Sequence, residues 1–179
     1  MASRKSFIRF AITDRCDRES LDAILKKSPT HISFRDKELK GFEDRAKEFI
    51  SYLSNRDLIL YLHRDIELAK RLGFDGVHLK SSQFDSIKFA KSLDLLTIIS
   101  THKRFEIELA KKNGADMIFY SPIFYTPNKS KPKGLENLKN ICKNYDIDII
   151  ALGGIISDKE AKEIEKLGVS GFASIRYFR

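Results

Sequence analysis

Two apolar runs that end in polar clusters decide the fold of this chain: Ile98-Ile99-Ser100-Thr101-His102 and Met117-Ile118-Phe119-Tyr120-Ser121-Pro122-Ile123-Phe124-Tyr125-Thr126-Pro127-Asn128-Lys129. Each run is typical of a buried strand that leads directly into a polar segment. In α/β folds the carboxyl ends of the strands are where chemistry is done. We therefore expect His102 to share a rim with Thr126 and Lys129, which places a proton-transfer group near a cation.

Short apolar runs alternate with amphipathic segments along the whole chain. The patterns predict strands at residues 7–13, 30–35, 58–62, 76–80, 96–102, 117–123, 148–154 and 171–177. They predict helices at residues 18–27, 42–54, 66–72, 83–92, 104–112, 135–144 and 159–167. This alternation indicates a parallel sheet with right-handed crossovers, and eight strands can close a (β/α)8 barrel. An open doubly wound sheet is the alternative.

Recurrent glycine–aspartate units before strands favour the barrel: Gly73-Phe74-Asp75-Gly76 and Gly114-Ala115-Asp116. We predict one compact α/β TIM-barrel domain over residues 1–179. The final covering helix is missing from this pattern, because the sequence reaches Arg179 directly after the eighth strand. We therefore expect a partner subunit or a rearranged terminus over the first and eighth strands, and we predict a homo-oligomer that buries Tyr177-Phe178.

Composition restricts the class of protein. The chain has 179 residues, 42% hydrophobic and 32% charged, which is typical of a soluble globular protein. It has no apolar run of bilayer length and no signal-peptide pattern, so we predict a cytoplasmic protein without a membrane partner. The net charge of +8 is spread along the chain rather than grouped in a basic block. This predicts no nucleic-acid partner and favours an anionic small substrate.

Seven short segments together resemble the thiamine phosphate synthase superfamily, which includes the TenI-like thiazole tautomerases. They are Phe10-Ala11-Ile12-Thr13-Asp14-Arg15, Ile32-Ser33-Phe34-Arg35-Asp36-Lys37, Gly76-Val77-His78-Leu79, Ser100-Thr101-His102, Ser121-Pro122-Ile123-Phe124, Thr126 with Lys129, and Leu152-Gly153-Gly154-Ile155. The resemblance implies a (β/α)8 barrel. It also implies a phosphorylated thiazole as ligand.

The magnesium-binding residues of the synthase branch are replaced in this chain. That branch joins a pyrimidine diphosphate to a thiazole phosphate with Mg²⁺ and releases diphosphate. Where the resemblance implies the magnesium carboxylates, this chain has Arg64 and Gln83. Mg²⁺ prefers carboxylate oxygens, so we predict no metal site and no cofactor, with magnesium needed only if the synthase alternative holds. Asp65 could substitute for a lost ligand, but we expect it to be an ordinary residue at a helix start.

The tautomerase branch implies an acid–base role for the histidine that aligns with His102. An imidazole can both remove and deliver a proton near neutral pH. The alternative is a rim histidine bonded to a neighbouring backbone carbonyl. We expect His63 to contact the substrate from the rim, His78 to face the barrel core and His31 to be structural.

Anion binding is predicted at the ends of the last strands. Gly153 and Gly154 end the seventh strand and Ser157 opens the next helix, a common arrangement for a barrel phosphate site. Arg176, after the eighth strand, either contacts the anion or fills the pocket. The predicted substrate-binding residues are Arg35, Lys37, His63, Ser100, Thr126, Lys129, Gly153, Gly154 and Arg176.

Three functions follow as hypotheses. The first is metal-independent aromatisation of a thiazole carboxylate phosphate, with His102 as the catalytic residue. The second is thiamine phosphate synthesis with rearranged ligands, in which the surplus of Arg and Lys neutralises the diphosphate. The third is a non-catalytic barrel that binds a phosphorylated ligand.

Overall fold

The computed structural model describes residues 6–38 and 40–179, so residues 1–5 of the predicted domain lie outside the described part. The strands are β1 Ile8–Thr13, β2 His31–Phe34, β3 Ile59–His63, β4 Gly76–Leu79, β5 Leu96–Thr101, β6 Met117–Tyr120, β7 Asp148–Leu152 and β8 Gly171–Ser174. The helices are α1 Arg18–Leu25, α2 Phe42–Leu53, α3 Ile66–Leu72, α4 Ile87–Ser92, α5 Arg104–Lys112, α6 Gly134–Asn144 and α7 Asp158–Glu165. A single 3-10 turn, Phe84–Ser86, precedes α4.

The eight strands form a closed parallel barrel in chain order, and β8 pairs with β1. This confirms the predicted (β/α)8 fold and excludes the open sheet. In the described part of the chain, no helix is long and apolar enough to cross a membrane.

Two apolar layers follow from the alternation of side chains along each strand. Inward-facing side chains fill the barrel interior, where the Phe10 and Phe119 rings meet edge to face at 4.9 Å between centroids. Outward-facing side chains pack against the helices, each of which buries one stripe. On α7 that stripe includes Ala161 and Ile164, and Ser157, which precedes the helix, forms a capping box with Glu160.

Several predicted strands extend beyond the observed ones at their carboxyl ends. β6 ends at Tyr120 rather than 123, and Pro122, just beyond it, has no backbone N–H to donate to a ladder. β7 ends at Leu152 rather than 154, since Gly153 and Gly154 have φ angles of +101° and +74°. β2, β4, β5 and β8 likewise end before the predicted residues 35, 80, 102 and 177. Arg35, Lys80, His102 and the glycine pair therefore lie on loops, whereas His63 and Ser100 lie within β3 and β5.

Two aspartates connect neighbouring strands at the amino-terminal end of the barrel. The Asp75 carboxylate accepts a hydrogen bond of 2.7 Å from the Leu60 backbone N–H, and Asp116 accepts one of 2.7 Å from Thr97. Lys91 pairs with Asp116 at 2.8 Å. These aspartates belong to the glycine–aspartate units in the sequence, so the units connect the strands at the amino-terminal end of the barrel, opposite the rim formed by the strands' carboxyl ends.

The outer face of β8 is covered by the residues that follow it. Tyr177 and Phe178 are 5% and 1% exposed, and both rings contact Phe172, at 5.1 and 5.9 Å between centroids. Of the two predicted covers, the structure contains the rearranged terminus. Burial of Tyr177 and Phe178 by a partner subunit was the wrong expectation, since both are already buried in their own chain. The homo-oligomer stays a prediction, but an exposed Tyr177-Phe178 pair is no longer an argument for it.

Candidate functional site

A cavity of about 540 Å³ opens at the carboxyl ends of the barrel strands. Four cationic residues line it, Arg35, Lys80, Lys129 and Arg176, together with several serines and three histidines. Among the residues that the structure describes, no aspartate or glutamate lines this cavity. The charge of its wall therefore favours an anionic ligand.

The structure brings nearly all the predicted site residues together. Those lining the cavity are Arg35, His63, Ser100, His102, Thr126, Lys129, Gly153, Gly154 and Arg176. Lys37 is the exception, because it is exposed and does not line the cavity. The prediction for Lys37 rests on the segment Ile32–Lys37 that resembles the family, which groups Lys37 with Arg35, but β2 ends at Phe34 and the chain then leaves the barrel.

His102 directly follows β5 and is half-buried in the cavity wall. Its Nδ1 lies 3.1 Å from the Ser121 carbonyl oxygen and 3.2 Å from the Ser121 hydroxyl. A carbonyl accepts only, so Nδ1–H donates to it, and in the neutral imidazole the lone pair is on Nε2. No described residue hydrogen-bonds Nε2. The contact predicted for a structural rim histidine is thus present, and it also leaves Nε2 as a proton acceptor.

Two further histidines form the floor of the cavity. His78 is buried, and its ring nitrogens lie 3.1 Å from the Ser33 hydroxyl and 3.3 Å from the Ser100 hydroxyl. The His63 ring meets His78 edge to face at 4.9 Å. Burial, with Arg35, Arg64 and Lys80 nearby, lowers the pKa of His63 to about 3. Burial, with His63 and Arg35, lowers the pKa of His78 well below 6.5.

The floor histidines are therefore neutral near pH 7. His63 offers hydrogen bonds without charge, and its Nδ1 is buried without a partner among the described residues. The structure thus confirms that His78 faces the barrel interior. It also shows that the Ser33 hydroxyl lies within hydrogen-bond distance of this histidine.

The Gly153-Gly154 turn closes one side of the cavity. A Cβ on Gly154 would lie 2.5 Å from Phe124 Cβ, and one on Gly153 would lie 2.9 Å from Pro122 Cα. The glycines are thus required by the close approach of the β6–α6 loop as well as by their positive φ angles. Their backbone N–H groups make no hydrogen bond to a described residue. They are available to an anion.

The residues at the implied magnesium positions do not fit a magnesium ion. The Gln83 side chain accepts from Lys80 N–H at 3.1 Å and donates to the Arg64 carbonyl at 3.0 Å. The Asp65 carboxylate caps α3 by accepting from Leu68 N–H at 2.9 Å, which confirms its expected role at a helix start. The described residues contain no group of three or more His, Cys, Asp or Glu side chains suited to a metal ion.

Sequence reasoning missed Lys80, Ser121 and Ser33. Lys80 follows β4 as Arg35 follows β2, so the strand-end position was the available signal. In a chain rich in surface lysines, that signal does not distinguish Lys80 from its neighbours.

The fold and the cavity define a (β/α)8-barrel protein with a cationic cavity at the rim where barrel enzymes have their active sites. A family model described as thiamine monophosphate synthase matches residues 9–178, and the chain belongs to that family. The predicted resemblance is thereby confirmed. The chain is accordingly placed among the enzymes of thiamine biosynthesis.

Three relatives show what the chain is similar to. A "putative thiamine-phosphate synthase 2" of Aquifex aeolicus is 34% identical, covering 94% of this chain and 96% of that protein. A thiamine-phosphate synthase of Lactococcus lactis is 28% identical, covering 98% and 85%. The solved structure of a thiamine phosphate pyrophosphorylase from Pyrococcus furiosus has a TM-score of 0.82 at 28% identity, covering 96% and 87%. These names favour the synthase alternative over the tautomerase that the sequence analysis put first.

Proposed function

We propose that the cavity binds a phosphorylated thiazole and that the chain joins it to a pyrimidine diphosphate with release of diphosphate. The observation that carries the proposal is the cavity wall, which combines four cations and a Gly-Gly turn with no carboxylate among the described residues. The family membership and the names of the relatives support the same reaction.

The cations lie on two sides of the barrel mouth. Arg35 and Lys80 follow β2 and β4, whereas Lys129 and Arg176 follow β6 and β8, next to the Gly153-Gly154 turn. In this proposal the thiazole phosphate binds beside the turn. Arg35 and Lys80 neutralise the leaving diphosphate across the cavity through charge-assisted hydrogen bonds. Since the residues at the implied metal positions do not fit Mg²⁺, no step is assigned to a metal.

Tautomerisation of a thiazole carboxylate phosphate is the second candidate. The specific observation in its favour is His102, whose Nδ1 is bonded to the Ser121 carbonyl while Nε2 has no described partner. A group fixed in this way can remove a proton from one ring carbon and return it to another. The phosphate would bind at the same glycine turn in both reactions.

One set of assays separates these functions. The purified chain is mixed with hydroxymethylpyrimidine diphosphate and thiazole phosphate, with and without Mg²⁺, and thiamine phosphate is measured. In parallel, thiazole carboxylate phosphate is incubated with the chain in deuterated water. Thiamine phosphate formation supports the synthase proposal. Deuterium incorporation without coupling overturns it in favour of the tautomerase. Binding without either reaction indicates the non-catalytic barrel.

The anion site has its own test in Arg35→Ala. The side chain lines the cavity and is largely buried, so its loss should weaken binding of a phosphorylated ligand by about 1.5–3 kcal/mol. Lys37→Ala is the matched control, because Lys37 is a nearby cation outside the cavity. Isothermal titration with inorganic diphosphate measures both. Equal affinities for the two variants would show that Arg35 does not bind the anion.

A further inference from the structure

Residues 175–179, here called the C-terminal strap, connect the cavity with the outside of the barrel. Ile175 and Arg176 line the cavity, whereas Tyr177 and Phe178 are buried against the outer face of β8. Consecutive residues of one short segment therefore line the cavity and pack against the outside of the barrel.

The outer end of the strap is held by a hydrogen-bond network centred on Tyr177. The phenol donates to the Asp158 carboxylate at 2.5 Å and accepts from Arg9 Nη2 at 3.0 Å. Arg9 in turn donates to the Lys27 carbonyl at 2.7 Å, next to the end of α1. Asp158 is the first residue of α7, so one phenol connects α7 with the segments around β1.

The inner end of the strap is bonded to the cavity wall. The Tyr177 backbone N–H donates to the Ser174 hydroxyl at 3.1 Å, and that hydroxyl donates to the Ile155 carbonyl at 2.7 Å. Ile155 directly follows the Gly153-Gly154 turn and lines the cavity. Tyr177 is therefore linked to both parts of the predicted anion site, to Arg176 through the chain and to the glycine turn through Ser174.

The side chain of Arg176 depends on the strap for its position. Among the described residues, its guanidinium has no hydrogen-bond or ion-pair partner, although it lines the cavity. Its backbone carbonyl accepts from Arg179 N–H at 3.4 Å, and Arg179 pairs with Asp14 at 2.7 Å. Because no hydrogen bond or ion pair to a described residue fixes the Arg176 guanidinium, the backbone of the strap sets the position from which its charge reaches the cavity.

We propose that Tyr177 is a positioning residue, whose phenol network outside the barrel holds Arg176 and the Gly153-Gly154 turn in place for an anionic ligand. The proposal rests on the anion site of the proposed function and adds a determinant outside the cavity. A positioning role predicts that the loss of anion affinity on Tyr177 replacement depends on the presence of Arg176. A purely structural role for Tyr177 predicts the same loss with or without Arg176.

The test is a double-mutant cycle read by titration with inorganic diphosphate. Tyr177→Phe keeps the ring and removes both hydrogen bonds of the phenol. Tyr52→Phe is the matched control, since it removes a 2.6 Å hydrogen bond to Asp22 between α1 and α2, outside the cavity. Tyr177→Phe should raise the Kd about fivefold, the value for roughly 1 kcal/mol, while Tyr52→Phe leaves it unchanged. In an Arg176→Ala background, Tyr177→Phe should have little further effect.

Three results would overturn the proposal. They are an unchanged Kd for Tyr177→Phe, an equal loss in the presence and absence of Arg176, and an unchanged Kd for Arg176→Ala. If the unaltered chain does not bind diphosphate, the anion site of the proposed function fails as well. Binding by the unaltered chain with no effect of Tyr177→Phe refutes the positioning role alone. If Tyr177→Phe does not fold, Arg9→Lys replaces it in the same cycle, because it removes the fork that contacts the phenol.

Discussion

At the scale of single residues, His63 on the cavity floor and His102 at the rim have different chemical capacities. His63 lies beside Arg35, Arg64 and Lys80, and its pKa of about 3 keeps it neutral, so it can orient a ligand but does not deliver a proton near pH 7. His102 has one nitrogen bonded to a carbonyl and the other without a described partner. Of these two histidines, only His102 is a candidate for the proton transfer that the second candidate function requires.

Replacement of His102 gives the sharpest residue-scale prediction. If the chain catalyses tautomerisation, the second candidate function, His102→Ala and His102→Gln should each slow it about 10²–10⁴-fold, the usual contribution of a general acid–base group, while ligand binding is largely kept. Deuterium incorporation into the thiazole reports the rate, and titration with the phosphorylated thiazole reports binding. His31→Gln is the control, since His31 lies outside the cavity. Incorporation at the unaltered rate in both His102 variants would make His102 a structural rim residue.

The cavity residues were predictable where strand position and residue type agree. Arg35 and His102 each directly follow a strand, and the glycine pair interrupts a strand pattern, so the sequence identifies them. Lys37 was misplaced because the family resemblance groups it with Arg35, whereas it is exposed and outside the cavity. The pairing of His78 with Ser33 was not predictable, because it joins residues on strands that are not neighbours in the barrel.

At the scale of elements, periodicity predicted which segments are strands and helices but not where they end. A strand ends where the neighbouring strand no longer provides hydrogen-bond partners. The position of that end depends on the register between segments that are distant in sequence. β7 illustrates the point, since its apolar pattern runs into Gly153 while the ladder stops at Leu152. The loops between observed and predicted ends contain Arg35, Lys80, His102, Gly153, Gly154 and Arg176 of the cavity wall.

Glycine replacement tests the packing of these loops. Gly154→Ala and Gly168→Ala place a methyl group at nearly equal φ angles, +74° and +75°, but only the first meets other atoms, at 2.5 Å. Gly168→Ala should cost about 1–2 kcal/mol, the penalty of the left-handed conformation alone. Gly154→Ala should cost more and should also weaken diphosphate binding. Urea unfolding and titration measure the two effects. If both variants lose the same free energy of unfolding, the β6–α6 loop moves to accommodate the methyl group without a further loss of stability.

At the scale of the whole molecule, closure of the barrel was predicted from the strand count, and its cover over β8 was left between two options. Short-range sequence patterns do not distinguish a partner subunit from a rearranged terminus as the cover of β8. Both bury the same apolar residues, and the choice depends on where Tyr177 finds Asp158 and Arg9 in three dimensions. A homo-oligomer stays a prediction for light scattering to test.

The pH dependence of global stability follows from the buried histidines. Burial lowers the pKa of His31 from 6.5 to about 4, with Asp75 opposing the shift. The folded chain keeps His31 neutral while the unfolded chain binds a proton, so the free energy of unfolding falls as the pH falls from about 6.5 to 4. The slope is at most about 1.4 kcal/mol per pH unit for one group.

His31→Gln should remove this contribution. The difference in the free energy of unfolding between the unaltered chain and the variant should shift in favour of the variant as the pH is lowered through that window. His63 and His78 are present in both proteins and cancel in the difference. Urea titrations at pH 5, 6 and 7 supply the values. Parallel pH profiles would show that His31 is protonated equally in the folded and unfolded chains.

The aspartates that connect strands at the amino-terminal end of the barrel, Asp75 and Asp116, have a consequence for how such a chain diverges. They stabilise the barrel at the end opposite the cavity, so residues such as Ser33, His63 and Arg64 can be exchanged without breaking these bonds. A descendant can therefore lose an inherited ligand set, acquire another and remain folded throughout. Such a chain keeps the architecture of its ancestors while its chemistry is open to selection.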